Sequence, residues 1–519
     1  MSDQLLDGRP LRLAPTELAR DRGRRALVLT VTTLAAVTAI WHAIAVPDGA
    51  IGTVAGLGLL VLSPSLGRGR RRALLVATIL AACMAALDLA LGLEQPALVL
   101  LALTALLTAS VPAFPTRGDP TTRRRLAAGA SIGSGALVAD LAHAHGVIAH
   151  PLLGAAGLAG VFLLALSAGP WHDRRGRDAE TREAARRILA AHGSDTLSPF
   201  ALRPDKRIFL SADGEAFLSY ATFAGVALVS GSPIGPNAAH AALLDAFIED
   251  ARRRGLLVAA LGVPADGLAD WRCRGFRAHY TGDEAIVDAA GFGLDGRAVR
   301  KVRQSVARLA RAGYRVEIVR GRDLTLARAS TLARIADSWK GGRRETGFSM
   351  AFESASPDAA RDDLYALAVG RDGEPHGFLH LADVAAGRAL SLSGMRRLPE
   401  TPNGLNEFLV VETLAWACAH GYRSVSLNFA AFAAVLDPPG RLDRLTALEA
   451  RVLRRCSGRF QLERLRAFSS KFGPSWVPRY AVYPRTSALP RVALAAMLAE
   501  AYVSLPWSGL ALRRRTGAS

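Results

Sequence analysis

The chain has 519 residues, half of them hydrophobic but only 6% aromatic, with a mean hydropathy of +0.20, so its apolar excess is Ala, Leu and Val. The 64 Lys and Arg against 45 Asp and Glu give a formal charge of +19, which favours polyanionic partners such as nucleic acid or anionic lipid headgroups, unless it records only an Arg- and Ala-rich bias. The four cysteines, Cys83, Cys273, Cys418 and Cys456, stand at neither CxxC nor zinc-ligand spacing; this argues against a disulfide framework and a metal site and predicts buried thiols in a reducing compartment.

After an N-terminal segment over 1–25, five apolar stretches precede Pro170: Ala26–Val46, Ala73–Leu93, Pro96–Pro112, Leu126–Ala149 and Leu152–Gly169. A shorter one, Ile51–Leu66, lies between the first two. A spanning helix needs about 20 apolar residues, so the loops decide. Arg22–Arg25, Arg68–Arg72, Arg117–Arg125 and Arg174–Arg177 mark every second connection, and the connections around Asp48, Glu94 and His150 carry no Lys or Arg. That alternation predicts an all-α membrane domain of about six transmembrane helices over 26–169, in the plasma membrane, with both ends cytoplasmic. A cleaved signal peptide at Ala26–Val46 is disfavoured by its length and by the segments that follow. Asp88, Asp140 and His143 fall inside these stretches and read either as a polar pathway or as groups paired near helix ends.

From about Ala179 the pattern is α/β. Residues 207–235 read as three antiparallel strands with Asp213-Gly214 as a turn signal. A helix over Ala241–Arg254, with Leu244, Phe247, Ile248 and Ala251 on one stripe, leads to a buried strand at Leu256–Val263. A second half repeats the order: helix Leu324–Trp339, strands Gly377–His380 and Ala389–Leu392, helix Glu407–His420, strand Ser424–Asn428. This predicts two acyltransferase-like halves in tandem, over 178–320 and 321–487. The apolar, basic tail over 488–519 is expected to be a packed or interfacial helix, since Glu500 and two prolines interrupt it. Between the halves, Gly296–Ala312 reads as a helix on which Arg297, Arg300, Lys301, Arg308 and Arg311 share an arc of about 100°. Such a face suits phosphate contacts or is the solvated side of a basic protein.

Several motifs then appear in one order: "GSPIGP" at Gly231, "GDEAIVD" at Gly282, the basic helix, "SWKGGRRETGFSMAFE" at Ser338, "GMRRLPETPNGLNEFLVVETLAWACAHG" at Gly394, "VSLNFAAF" at Val425 and "SSKFGPSWVPRY" at Ser469. Together they resemble the C-terminal domain of the lysylphosphatidylglycerol synthase (MprF-like) family, over about residues 180–485. The resemblance implies a tandem GNAT-like fold that moves an aminoacyl group from aminoacyl-tRNA to a glycerol hydroxyl of an anionic phospholipid, with no cofactor and no metal. It implies Glu345, Arg396 and Lys471 as catalytic groups, and Asp283, Glu284, Asn406, Glu407, Trp476 and Arg479 as residues that line or support the cleft. The basic face of Arg297, Arg300, Lys301, Arg308 and Arg311 would hold tRNA phosphates. Each residue also has a structural reading: Glu407 as a helix cap, Asp283 and Glu284 as turn braces, Arg396 and Lys471 as ion pairs. Lys206, Lys301, Lys340 and Lys471 are the only lysines in the chain, and a lysine at a tight site is not interchangeable with arginine.

The chain departs from the family at two points. Ser232 stands where the family usually has an acidic residue, and Ser393-Gly394-Met395-Arg396 replaces Asp-Leu-Met-Arg, which leaves lysine specificity open. No fused synthetase is expected, so a separate aminoacyl-tRNA synthetase would supply the donor. Two rivals stay in view: an acyl-CoA-dependent N-acyltransferase, whose pyrophosphate loop is not found in the α/β region, and a non-catalytic membrane scaffold or lipid-transport protein.

Overall fold

The structure is a computed structural model, and it describes residues 23–24, 26–36, 59–60, 62–63, 65–67, 69–90, 92, 94–114, 178–340, 347–352, 363–429 and 465–500. The chain divides into two compact units, Met1–Asp173 with Asp250–Leu256, and Arg174–Glu249 with Leu257–Ser519.

In the first unit, the helical residues 26–36, 59–60, 62–63 and 65–67 pack with α1 (Arg71–Ala90) and α2 (Glu94–Ala109). They bury Val28, Leu59, Leu66, Leu74, Leu103 and Leu107 in one core. Both helices are apolar on every side, and Leu75, Ile79, Leu89, Leu98, Val99 and Leu101 face outward. Eight of the 11 exposed large apolar side chains among the described residues lie in this unit. No helix among the described residues is long and apolar enough to cross a membrane. The expected segments Leu126–Ala149 and Leu152–Gly169, with parts of Ala26–Val46 and Ile51–Leu66, lie outside the described residues.

The second unit is built on one 11-stranded sheet. It opens with α3 (Ala179–His192), capped by Asp178, whose carboxylate accepts the Thr181 N–H at 2.8 Å. The strands β1 (Arg207–Leu210), β2 (Phe217–Phe223) and β3 (Val226–Ser230) form an antiparallel meander, as the alternation at 207–235 predicts. α4 (Asn237–Arg253) then returns the chain to β4 (Leu257–Pro264), parallel to β3. α4 begins four residues earlier than its apolar stripe suggests, directly after Pro236, a residue suited to a helix entrance.

β5 (Arg277–Asp288) precedes the basic helix α5 (Arg300–Arg311), which is shorter than expected and leaves Arg297 in the turn before it. β6 (Arg315–Arg320) and α6 (Leu326–Lys340) follow. A second meander, β7 (Leu364–Val369), β8 (Pro375–Val384) and β9 (Ala389–Arg397), leads through α7 (Leu405–Ala419) to β10 (Ser424–Phe429), parallel to β9. Each half is therefore meander, crossover helix and parallel strand.

β11 (Ser475–Tyr483) inserts between β4 and β5 and pairs antiparallel with both. The mixed stretch at 475–483 is thus a central strand, and the two expected halves share one sheet. Pro478 is tolerated next to the register shift at Arg479/Tyr480, since a proline in a sheet needs a bulge or an edge. α8 (Leu489–Ala499) covers β2 and β3 with Val492, Ala495 and Ala496, so the start of the tail is packed. Cys273 and Cys418 are exposed, which corrects the expectation of buried thiols: both lie at helix ends facing solvent.

Candidate active site

The two parallel strand pairs stop pairing at corresponding points. β3 and β4 run in register to Ser230↔Leu261, and β9 and β10 to Ser391↔Ser426. Just beyond, each post-crossover strand turns into the left-handed region, at Gly262 (φ 74°) and at Asn428 (φ 81°). Gly262 is required by space as well, because a Cβ there would meet Leu197 Cδ1 at 3.0 Å. Asn is the side chain that best tolerates such a φ, and Asn428 uses it: its Nδ2 donates to Leu392 O at 2.9 Å and Met350 O at 3.2 Å. The amide thereby occupies the opening of the second splay.

A buried charge cluster joins the two splays. Arg479 on β11 is 3% exposed and grips Asp195 through both terminal nitrogens, at 2.7 and 2.9 Å. Its Nε donates to Glu284 Oε2 at 2.9 Å, Nη2 to Thr196 Oγ1 at 3.0 Å and Nη1 to Gly262 O at 3.4 Å. Glu284, fully buried on β5, accepts from Thr196 Oγ1 at 2.6 Å and from Ser426 Oγ. Ser426 Oγ in turn accepts the Asn428 N–H at 3.2 Å. Burial alone would disfavour both charges. The two carboxylates nevertheless hold the Arg479 pKa above its usual value, and Arg479 holds Asp195 below the usual carboxylate range.

The segment after Glu345 reaches both splays. Arg203 Nη1 donates to Gly347 O at 2.7 Å, Phe348 is buried in the first half, and Met350 O is the acceptor at Asn428. Glu345 itself lies outside the described residues. Ser393, at the bulge of β9, uses its hydroxyl to accept the Phe352 N–H at 2.9 Å, so the residue replacing an expected acid fastens this segment.

Four of the expected residues gather elsewhere on the second half. Lys471 Nζ lies 2.7 Å from Glu407 Oε1 and 5.3 Å from the centre of the Phe468 ring. Glu407 stands in the first turn of α7, where Gly404 is the N-cap and no side chain caps, so the capping reading gives way to this ion pair. Its neighbour Asn406 has a buried Oδ1 with no hydrogen-bond partner. Trp476 carries the Arg466 guanidinium 5.1 Å above its ring, and Arg466 approaches Asp283 at 4.0 Å. Burial, then the hydrogen bond to Asp283, pushes the Tyr280 hydroxyl pKa up. Arg396 belongs to other contacts: its guanidinium lies against Gly394 and 5.9 Å over the Phe378 ring. The basic residues of α5 are exposed, and Val302 and Leu309 pack inward beside α7. Arg308 Nη2 ties this helix to Asn403 O at 2.5 Å, three residues before Asn406.

At the first splay lies an open cavity of about 390 Å³ lined by Asp195, Ser230, Ser232, His240, Asp266 and Asp270 among others. None of its lining residues is Lys or Arg. Asp195, Ser230 and Asn428 were not among the expected site residues. Asn428 falls within the "VSLNFAAF" motif and Ser230 directly precedes "GSPIGP", but neither motif singles the residue out, and Asp195 lies in none; the scarcity of lysine drew notice to Lys206, which contacts Ser230.

A meander, a crossover helix and a parallel strand that parts from its neighbour define a GNAT-like α/β acyltransferase fold. Residues 186–483 match the family described as Phosphatidylglycerol lysyltransferase, C-terminal, and the chain belongs to that family. It is 37% identical over 333 residues to the lysylphosphatidylglycerol biosynthesis bifunctional protein LysX of Mycobacterium avium, and 36% identical over 333 residues to that of Mycobacterium leprae. These matches cover 63% of this chain, and they span only 28% and 29% of the relatives' length. Among solved structures, the C-terminal domain of a putative lysylphosphatidylglycerol synthetase from Agrobacterium fabrum aligns with a TM-score of 0.55 at 26% identity, covering 63% of this chain and 98% of that one. L-PGS from Bacillus licheniformis aligns with a TM-score of 0.56 at 23% identity, covering 64% and 98%, and shows the shared fold.

Proposed function

We propose that this protein transfers an aminoacyl group, lysyl in the first instance, from aminoacyl-tRNA to a glycerol hydroxyl of phosphatidylglycerol. The family match over 186–483 carries the reading. The second-half site supplies suitable chemistry. The Asn406 acceptor, with no partner of its own, suits a substrate hydroxyl or amine. Lys471 offers a cation for a lipid phosphate or for the oxyanion that develops on the ester carbonyl. The exposed basic face of α5 suits tRNA phosphates, and the bond from Arg308 to Asn403 O in the loop before α7 supports a donor held near Asn406 and Glu407.

The acceptor lipid requires the enzyme at a bilayer. Support comes from the outward apolar faces of α1 and α2 and from the alternating arginine loops. In this reading the first third anchors the chain as a multi-pass protein and the α/β unit faces the cytoplasm. The test uses the purified full chain with phosphatidylglycerol vesicles and, in turn, separately charged tRNAs. The expected product is an aminoacylated lipid, detected by mass spectrometry and lost on RNase treatment. No product from any charged tRNA would sink the assignment.

A further inference from the structure

Lys206 is fully buried, at the start of β1, and the second-half site does not use it. Its Nζ lies 2.6 Å from Ser230 Oγ, 2.8 Å from Phe200 O and 4.5 Å from the centre of the Phe348 ring. Ser230 is the last residue of β3, 6% exposed, and it lines the acidic cavity at the first splay. The amine therefore sits against the hydroxyl of a residue that lines the hollow. Burial, reinforced by the charge of Arg203, pushes the Lys206 pKa well down; Asp205 and Glu500 act against this, and Glu500 is itself held toward its neutral form by burial. An amine within hydrogen-bond reach of a serine, and pushed by burial toward its uncharged form, is an arrangement that can activate a hydroxyl for acyl transfer.

The walls indicate what enters. Asp266 and Asp270 line the cavity beside Asp195, whose charge Arg479 offsets, and no Lys or Arg is among the lining residues of this hollow in a chain of formal charge +19. Asp270 lies 4.0 Å from His240 and within electrostatic reach of Arg274, Asp266 accepts the Gly267 N–H, and the buried Ser232 Oγ has no hydrogen-bond partner. Anionic phosphate would be repelled, and a group bearing ammonium would be held. α4 also begins at this cavity, with Asn237 among its lining residues, and the first turn of a helix favours negative charge.

We propose that Ser230 and Lys206 form a nucleophile–base dyad, and that the acid-lined cavity admits the ester of an amino-bearing acyl group and hydrolyses it. Only the choice of substrate class rests on the proposed transfer function. Lys206 Nζ takes the Ser230 proton as Oγ bonds to the ester carbonyl carbon. The tetrahedral intermediate collapses by breaking the bond to the alcohol oxygen, which leaves with that proton. Water then attacks the seryl ester, Lys206 accepts its proton, and Ser230 Oγ recovers it on departure. The sum is ester plus water giving amino acid plus alcohol, an editing or product-limiting reaction on the same protein.

The test treats the full chain with a fluorophosphonate probe and maps the adduct by peptide mass spectrometry, with neither tRNA nor lipid present. The expected adduct is on Ser230, absent in Ser230→Ala, with labelling about 100-fold slower in Lys206→Met, the size of a general-base contribution. Lysine p-nitrophenyl ester should be hydrolysed above its background rate by the wild type and not by Ser230→Ala. An unlabelled wild type, or equal labelling of Ser230→Ala, overturns the proposal. Ser230→Ala decides the matter even if Lys206→Met fails to fold, and either result stands apart from the lipid-transfer assay.

Discussion

The two splays of the sheet are built from the same sequence of elements but finished differently. In the first, the turn past the last residue paired with β3 is Gly262, Leu197 packs against it, and a hollow lined in part by aspartates lies beside it. In the second, Asn428 makes the same left-handed turn and places its amide across the opening, bonding Leu392 O and Met350 O. Duplicated architecture thus yields one open crevice and one bridged crevice, and the cations expected for transfer belong to the second half. What couples them is Arg479, which touches Gly262 O on one side and Glu284 with its Ser426 partner on the other.

The comparison breaks most severely at that coupling residue. Arg479→Met leaves Glu284 buried without its cation, which should cost about 3–5 kcal/mol, read as a fall in denaturation midpoint together with loss of transfer. Arg479→Lys should rescue little, because one ammonium cannot reproduce the two-pronged contact with Asp195. A smaller effect on stability is expected at the Lys471–Glu407 pair of the second half. Lys471→Ala removes an ion pair whose lysine is 40% exposed, so its stability cost should stay within about 1 kcal/mol, while lipid aminoacylation should fall by about 100-fold or more. Equal loss of folding and activity would make Lys471 a structural residue.

Milder still is the effect on RNA. Replacing Arg300 and Lys301 by Gln should weaken binding of charged tRNA and lower its salt slope by about 1 per contact removed, with no change in melting temperature. The smallest effect concerns acid. Asp195 is held below its ordinary value of 3.8, so the stability it contributes is fully present above that value and is lost as pH falls below it. Asp195→Asn should melt lower at neutral pH and lose less on acidification, as thermal scans across that range would show.

The periodic elements were legible in the sequence. Alternation marked β1 to β3, and the apolar stripes found α4, α6 and α7 within a few residues of their ends. β5, β6, β7 and β11 escaped for separate reasons. β7, LYALAV, is buried on both faces and has no alternation to read. β11 carries Trp, Pro and Arg, a mixture that makes sense only once Pro478 sits by a bulge and Arg479 meets carboxylates contributed by residues far off in the chain. The same remoteness hid the first crevice. Ser230, Lys206 and Asp195 come from three different elements, and no local spacing connects them. Glu407 and Lys471 were named from motifs, yet the fact that they pair with each other needed the fold.

The position of β11 has a consequence for biosynthesis. As the nascent polypeptide leaves the ribosome, β4 and β5 emerge some 200 residues before the strand that belongs between them, a gap readable from Asp288 to Ser475. Until then both present unsatisfied backbone edges, and the guanidinium that neutralises Glu284 has not been made. The amino-proximal half must therefore wait for the far end of the translated message before its sheet can close, and polypeptides cut short before Ser475 should be cleared by proteases instead of accumulating as a stable fragment.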